Sequence, residues 1–259
     1  MNDSVVTCQR LIGRTAIVTA STDGIGLGIA QRLAEEGANV VISSRKQKNV
    51  DAAVHNLKAK GLKVIGTTCH VAKGEDRQKL FKLAESTFGG IDILISNAAT
   101  NPTMGPVLDC EESAWDKIFE TNVKASYLLA KEVLPYLNKR NGGKIIFVSS
   151  IGGYHPSELL GAYSVSKTAL LGLTKAAAIQ LAKDNIQVNC LAPGIVQTKF
   201  SDALTSSEVA RTEALLRIPL NRFGTPSDMG ATVAFLASDD ASYITGETII
   251  VAGGMASKL

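Results

Sequence analysis

Seven short runs rich in branched apolar residues, each set apart by a longer stretch, leave this chain few folds to choose from. The runs are TAIVTA (15–20), NVVIS (39–43), KVIGTT (63–68), DILIS (92–96), KIIFVSS (144–150), IQVNCLA (186–192) and ETIIVAGG (247–254). Between them, helical periodicity occupies 25–36, 47–60, 74–88, 112–139, 161–183 and 226–238. A strand that is apolar on both faces must be covered on both, and helices that follow each strand supply the covers of a parallel sheet. The expected fold class is α/β, a doubly wound seven-stranded parallel sheet with helices on both faces.

That sheet has room for one core. The 259 residues are 45% hydrophobic and carry no linker rich in Pro, Gly or Ser, so residues 1–259 read as a single domain. A net charge of +3, with Lys and Arg interleaved among Asp and Glu, gives no reason to expect a nucleic-acid partner. Cys8, Cys69, Cys110 and Cys190 lie far apart, without metal-type spacing, so neither a metal site nor a disulfide framework is expected. The longest helical apolar stretch, ALLGLTKAAAIQLA, is interrupted by Lys175, and the first fourteen residues lack an apolar leader core, so no membrane association is expected. The last three residues, Ser257-Lys258-Leu259, match the address read by the peroxisomal import receptor, and a peroxisomal matrix location follows as an expectation.

In a doubly wound sheet, ligands bind outside the carboxyl ends of the strands. There the sequence places ASTDGIG, SSRK, NAAT, SSIGGY and APGIVQT, after strands one, two, four, five and six. In the first of these, Gly24, Gly26 and Gly28 stand at a strand-to-helix turn, where a bare backbone can approach a pyrophosphate and free helix N–H groups can bind it. Strand two ends in Ser44-Arg45, where a dinucleotide fold often has an acid that holds the adenosine ribose. With no carboxylate in that place, Arg45 can form charge-assisted bonds to a 2′-phosphate, with Ser44 beside it, and the expected cofactor is NADPH/NADP+.

Tyr163 and Lys167 stand four apart in a helical pattern and so share a face. Bringing a phenol near neutrality takes about 4 kcal/mol, and an ammonium about 4 Å away at an effective dielectric of about 20 supplies that order. Lys167 is thus expected to pull the Tyr163 pKa down. Ser150 closes strand five, where a hydroxyl can hold a carbonyl oxygen as charge develops on it.

From Gly13 to Gly254 the chain resembles the short-chain dehydrogenase/reductase family. Thr19 to Gly26 is similar to its TGxxxGxG loop, with Ala20 in the place of the first glycine, a methyl group that is tolerable if the local φ is negative. Ser150, Tyr163 and Lys167 match the family's catalytic set. Asn122 matches its fourth catalytic position, where the asparagine supports a water chain from the lysine to solvent. The resemblance implies a Rossmann fold and cofactor contacts at Ala20, Ser21, Thr22, Gly24, Ile25, Gly26, Ser44, Arg45, His70, Val71, Asn97, Tyr163, Lys167, Pro193, Gly194, Ile195 and Thr198. Within the family, the strings look like the peroxisomal NADPH-dependent carbonyl reductase and retinol dehydrogenase type.

The expected reaction is hydride transfer between nicotinamide and a carbonyl carbon, with Tyr163 exchanging the proton on oxygen. Apolar surface at Leu159, Leu160, Phe200, Leu204, Leu215 and Leu216 points to apolar or aromatic ketones, dicarbonyls and retinal-type aldehydes, with His155 a weaker candidate contact. Two other readings stand beside it: a hydroxyacyl-CoA dehydrogenase or ketoacyl reductase of peroxisomal β-oxidation, and a cofactor-dependent binding or scaffold protein. The resemblance also implies a homotetramer.

Overall fold

The computed structural model describes residues 8–201 and 207–255. Strands β1 (Thr15–Val18), β2 (Asn39–Ser44), β3 (Val64–Thr68), β4 (Ile93–Ser96), β5 (Gly143–Val148), β6 (Ile186–Pro193) and β7 (Thr248–Val251) form one sheet. Its order is β3-β2-β1-β4-β5-β6-β7, and every neighbouring pair runs parallel. The order reverses between β1 and β4, which opens a crevice at their carboxyl ends. The sequence-derived fold class holds, with each of the seven strands within a few residues of its expected place.

Alternate residues of one strand feed two separate cores. Ala16 and Val18 of β1 pack with Ile29 and Leu33 of α1 (Gly24–Glu35) and with Met229 and Val233 of α8 (Pro226–Ala237). Ile17 points the other way, to Leu80 and Phe81 of α3 (Gly74–Phe88) and to Leu129 and Val133 of α5 (Ala125–Lys139). This is why the strands read as unbroken apolar runs. Helix α2 (Gln47–Ala59) covers β2 and β3 with Val50, Ala53 and Leu57, and α6 (Gly161–Leu181) follows β5.

Helix signals in the sequence are met by capping contacts. Asp23 caps α1 through Gly24 N at 2.8 Å. Thr225 and Asp228 form a reciprocal capping box at α8, with Pro226 in its first turn. The expected single helix over 112–139 is α4 (Glu112–Phe119), a wide π turn (Glu120–Lys124) and α5. Helix α7 (Glu208–Leu216) had no counterpart among the expected elements, and it buries no residue. Among the described residues no helix is long and apolar enough to cross a membrane. Ser257-Lys258-Leu259 and Leu204 lie outside the described residues.

Candidate active site

Two close approaches build the glycine-rich turn after β1. A Cβ on Gly26 would fall 2.4 Å from the Ala20 carbonyl oxygen and 2.5 Å from Asn97 Nδ2, so only glycine fits. Gly24 takes φ +54°, where an added side chain would be strained, and its nearest neighbour is Thr198 of the segment after β6. Gly28 has another reason to be glycine: a Cβ there would lie 2.5 Å from Pro226, so its bareness serves the packing of α1 on α8. Ala20 corrects an expectation. Its φ is +50°, in the left-handed region, because the turn keeps the backbone that a glycine would take.

Several of the expected cofactor residues hold the turn itself. Ser21 Oγ donates to Val18 O at 2.6 Å and accepts from Ser43 N, which ties the turn to β2. Asn97 Nδ2 donates to the Thr19 and Ala20 carbonyls at 3.0 Å each. The Thr19 hydroxyl in turn accepts from the Asn97 and Ala98 amides.

Beside this turn lies a cleft of about 280 Å³ whose walls include Thr22, Ser44, Arg45, His70, Val71 and Thr100. Sequence reasoning missed Asn49, Lys117 and Thr121 on the same wall. Nothing in the sequence periodicity brings the last turn of α4 and the π turn across to the end of β3; only the sheet order does so. Arg77, also missed, is 4% exposed and fastens the cleft wall by donating to Val71 O at 2.6 Å while pairing with Glu132 at 2.7 Å. The cleft fits a dinucleotide by its chemistry. A bare turn faces the amino end of α1, Arg45 and Lys117 line the wall, and the only carboxylate among the lining residues, Asp23, is engaged by Gly24 N and Lys199. His70 Nδ1 and Thr121 Oγ1 are buried without a partner. Desolvation lowers the His70 pKa, and the nearby Lys117 and Arg45 lower it further.

Past the cleft, the end of β5, α6 and the π turn between α4 and α5 bring four polar residues together. Ser150 ends in a tight turn, its hydroxyl accepting from Gly152 N at 3.0 Å. Tyr163 is 8% exposed and Lys167 2% exposed. Lys167 Nζ donates to Val148 O at 2.8 Å and stands 5.4 Å from the centre of the Tyr163 ring. Asn122, held by the π turn, accepts from Thr100 N at 2.8 Å and donates to Ser166 Oγ, next to Lys167, at 3.0 Å. Wide turns of this kind re-aim side chains at functional sites.

The titration of the pair departs from the expectation that Lys167 depresses the phenol. Burial raises the Tyr163 pKa, and a hydrogen bond with Ser150 opposes that rise only in part. Burial also lowers the Lys167 ammonium to about 8. Desolvation disfavours the charged form of both groups and is the largest cause of each shift. The phenol is therefore held protonated.

After β6, Gly194 packs so closely on Ala252 that an added Cβ would lie 2.8 Å from its Cα. Pro193 closes the strand, and Ile195 faces a small cavity shared with Ile218 and Met229 rather than the dinucleotide cleft. Thr198 meets Gly24 as described, so the structure brings this segment over the glycine-rich turn. His155 is exposed, as are Leu159 and Leu216. Among the described residues no group of three or more His, Cys, Asp or Glu side chains converges as a metal site would need.

A family model described as enoyl-(acyl carrier protein) reductase matches residues 19–256. Dehydrogenase/reductase SDR family member 4 of Sus scrofa is 54% identical over 96% of this chain and 89% of its own length. The chain belongs to the short-chain dehydrogenase/reductase family. Other members resemble it from end to end: tropinone reductase-like 3 of Erythroxylum coca is 53% identical, over 97% of this chain and 96% of that protein. Among solved structures of the family, a 7α-hydroxysteroid dehydrogenase complexed with NADH and 7-oxo glycochenodeoxycholic acid superposes with a TM-score of 0.91 at 28% identity, covering 98% of each chain. L-sorbose reductase from Gluconobacter frateurii, complexed with NADPH and L-sorbose, gives 0.90 at 33% identity, over 97% of this chain and 100% of its own. Family membership makes the chain an oxidoreductase that works with a nicotinamide cofactor and a small-molecule substrate.

Proposed function

We propose that the chain is an NADP(H)-dependent carbonyl reductase, which reduces apolar and aromatic ketones, α-dicarbonyls and retinal-type aldehydes and runs the reverse alcohol oxidation. The observation that carries the reaction is the grouping of Ser150, Tyr163 and Lys167, with Asn122 behind them, at the carboxyl ends of the strands. When bound, the reduced nicotinamide supplies hydride to the carbonyl carbon. Ser150 and Tyr163 hydrogen-bond the carbonyl oxygen. Tyr163, held protonated by burial, delivers the proton as negative charge gathers on that oxygen. Lys167, charged below about pH 8, stabilises the phenolate left behind and is itself held by Val148 O. Arg45 and Ser44 support the NADP(H) preference, since both line the cleft at the end of β2 and neither is acidic.

The site is tested by a screen of carbonyl compounds with NADPH and NADH, with cofactor oxidation as readout, on the wild type and on Tyr163→Phe. The variant is expected to bind dinucleotide and lose nearly all turnover; a rate above about a tenth of wild type would defeat the assignment. Faster turnover of acetoacetyl-CoA than of an aromatic diketone would move the substrate class to hydroxyacyl-CoA chemistry.

Two further proposals concern location and assembly. Ser257-Lys258-Leu259 directs the chain to the peroxisomal matrix through the import receptor, which loss of punctate localisation on deleting the tripeptide would test. The chain is a homotetramer, supported by exposed Tyr127 and Ile179 on α5 and α6 and by the groove of Phe119 and Val123 beside Tyr127. Light scattering measures the mass directly.

A further inference from the structure

The segment after β6 touches the proposed catalytic tyrosine. The Phe200 ring lies 5.6 Å from the Tyr163 ring, centre to centre, tilted by 39°. This is the separation and inclination of a favourable aromatic pair. Both neighbours of Phe200 are fastened. Lys199 Nζ bonds Asp23 Oδ2 at 2.6 Å, which ties the segment to the glycine-rich turn. Ser201, 7% exposed, sends its hydroxyl to Val196 O at 2.6 Å and closes a tight turn with Thr198. Phe200 itself remains 49% exposed, so one part of its surface rests on Tyr163 and the rest faces outward.

A carbonyl compound that enters on this side meets the Phe200 ring, which is part of the cover over Tyr163, itself 8% exposed. Entry disturbs the aromatic pair. A saturated substrate offers nothing equivalent in exchange, whereas a planar conjugated substrate offers its own ring to Phe200. We propose that Phe200 determines specificity, covering Tyr163 in the free chain and giving its face to a planar carbonyl substrate. Selection would then act at the reacting group itself, by exchange of one ring contact for another, and it rests on the reading of the chain as a carbonyl reductase.

The size of one aromatic pair sets the expected effect at roughly three- to tenfold. The experiment compares kcat/KM for a phenyl ketone and for its cyclohexyl counterpart in wild type, Phe200→Leu and Phe200→Tyr. Leucine keeps apolar bulk without a ring, and tyrosine keeps the ring. The phenyl-to-cyclohexyl ratio is expected to fall roughly three- to tenfold in Phe200→Leu and to hold in Phe200→Tyr, with dinucleotide Kd, read by fluorescence quenching, unchanged in both. An equal loss on both ketones in Phe200→Leu, or an unchanged ratio, overturns the proposal. A wild-type protein that binds dinucleotide yet reduces neither ketone defeats the carbonyl reductase reading itself, and this inference with it. Circular dichroism of Phe200→Leu separates misfolding from a loss of contacts, and a retained spectrum with an unchanged ratio still counts against Phe200.

Discussion

Helix α1 and helix α7 are held in opposite ways. Helix α1 buries Gly26, Ile29, Ala30, Leu33 and Ala34 and carries the glycine-rich turn on a core of β1 and α8. Helix α7 buries nothing and leaves Val209 69% and Leu216 82% exposed. The dinucleotide half of the site is therefore an extension of the core, with side chains such as Ser21 and Asn97 spent on holding backbone. The carbonyl half is laid over it and fastened at a few points, Lys199 to Asp23 and Phe200 on Tyr163. Elements of the first kind can hold charge and strain, because opening them would unfold the domain; elements of the second kind can yield to a substrate.

The largest expected effect tests how much the core-built half holds. Burial lowers the Lys167 pKa from 10.5 to about 8, which corresponds to a cost on the order of 3 kcal/mol at neutral pH. The folded chain binds this proton less tightly than the unfolded chain. The cost is therefore full below pH 8 and fades as pH rises from 8 toward 10.5. Lys167→Met is expected to abolish turnover and to raise the denaturant midpoint at pH 7, by a margin that shrinks at pH 10. A lower midpoint at pH 7 would show that the ammonium stabilises the fold, and the contrast between the two halves would lose its main support. Next comes Arg45→Ala, which removes a charge-assisted contact worth roughly 1.5 to 3 kcal/mol. The ratio of NADPH to NADH efficiency should fall about ten- to a hundredfold, and an unchanged ratio would sink the NADP(H) preference without touching the family.

The same contrast explains what could be read from sequence. Strands β1 to β7 were legible because two-sided burial forces unbroken apolar runs such as Ala16-Ile17-Val18, whose alternate residues enter separate cores. The grouping of Tyr163 with Lys167 was legible from spacing four, and Gly26 from the turn it occupies. The protonation of Tyr163 was not, because spacing reports a neighbour and says nothing of the desolvation that raises the phenol's pKa. Lys117 and Thr121 were hidden because their place in the cleft comes from sheet order, and the π turn at Asn122 because no residue pattern announces one. Helix α7 escaped because a helix without a buried face has no periodicity to read.

A smaller effect comes from the one position where the turn lacks its expected glycine. Ala20 is exposed and sits at φ +50°, which costs about 1 kcal/mol for a residue with a Cβ. Ala20→Gly relieves that strain while giving more freedom to the unfolded chain, so the net gain should be a fraction of 1 kcal/mol, read as a small rise in Tm. A loss of stability would mean that the methyl group has a use the turn geometry does not reveal.

The smallest expected effect lies in α7. Val209→Ser with Leu216→Ser removes two apolar side chains from a helix that buries neither. Surface changes of this kind stay within about 0.5 kcal/mol, so the denaturant midpoint should barely move. KM for apolar ketones should rise if α7 serves as substrate wall, while dinucleotide Kd stays where it was. A large drop in stability would place α7 against a surface in solution, such as a second copy of the chain. In that case the carbonyl half would be as firmly held as the dinucleotide half, and its yielding to substrate would have to come from Phe200 alone.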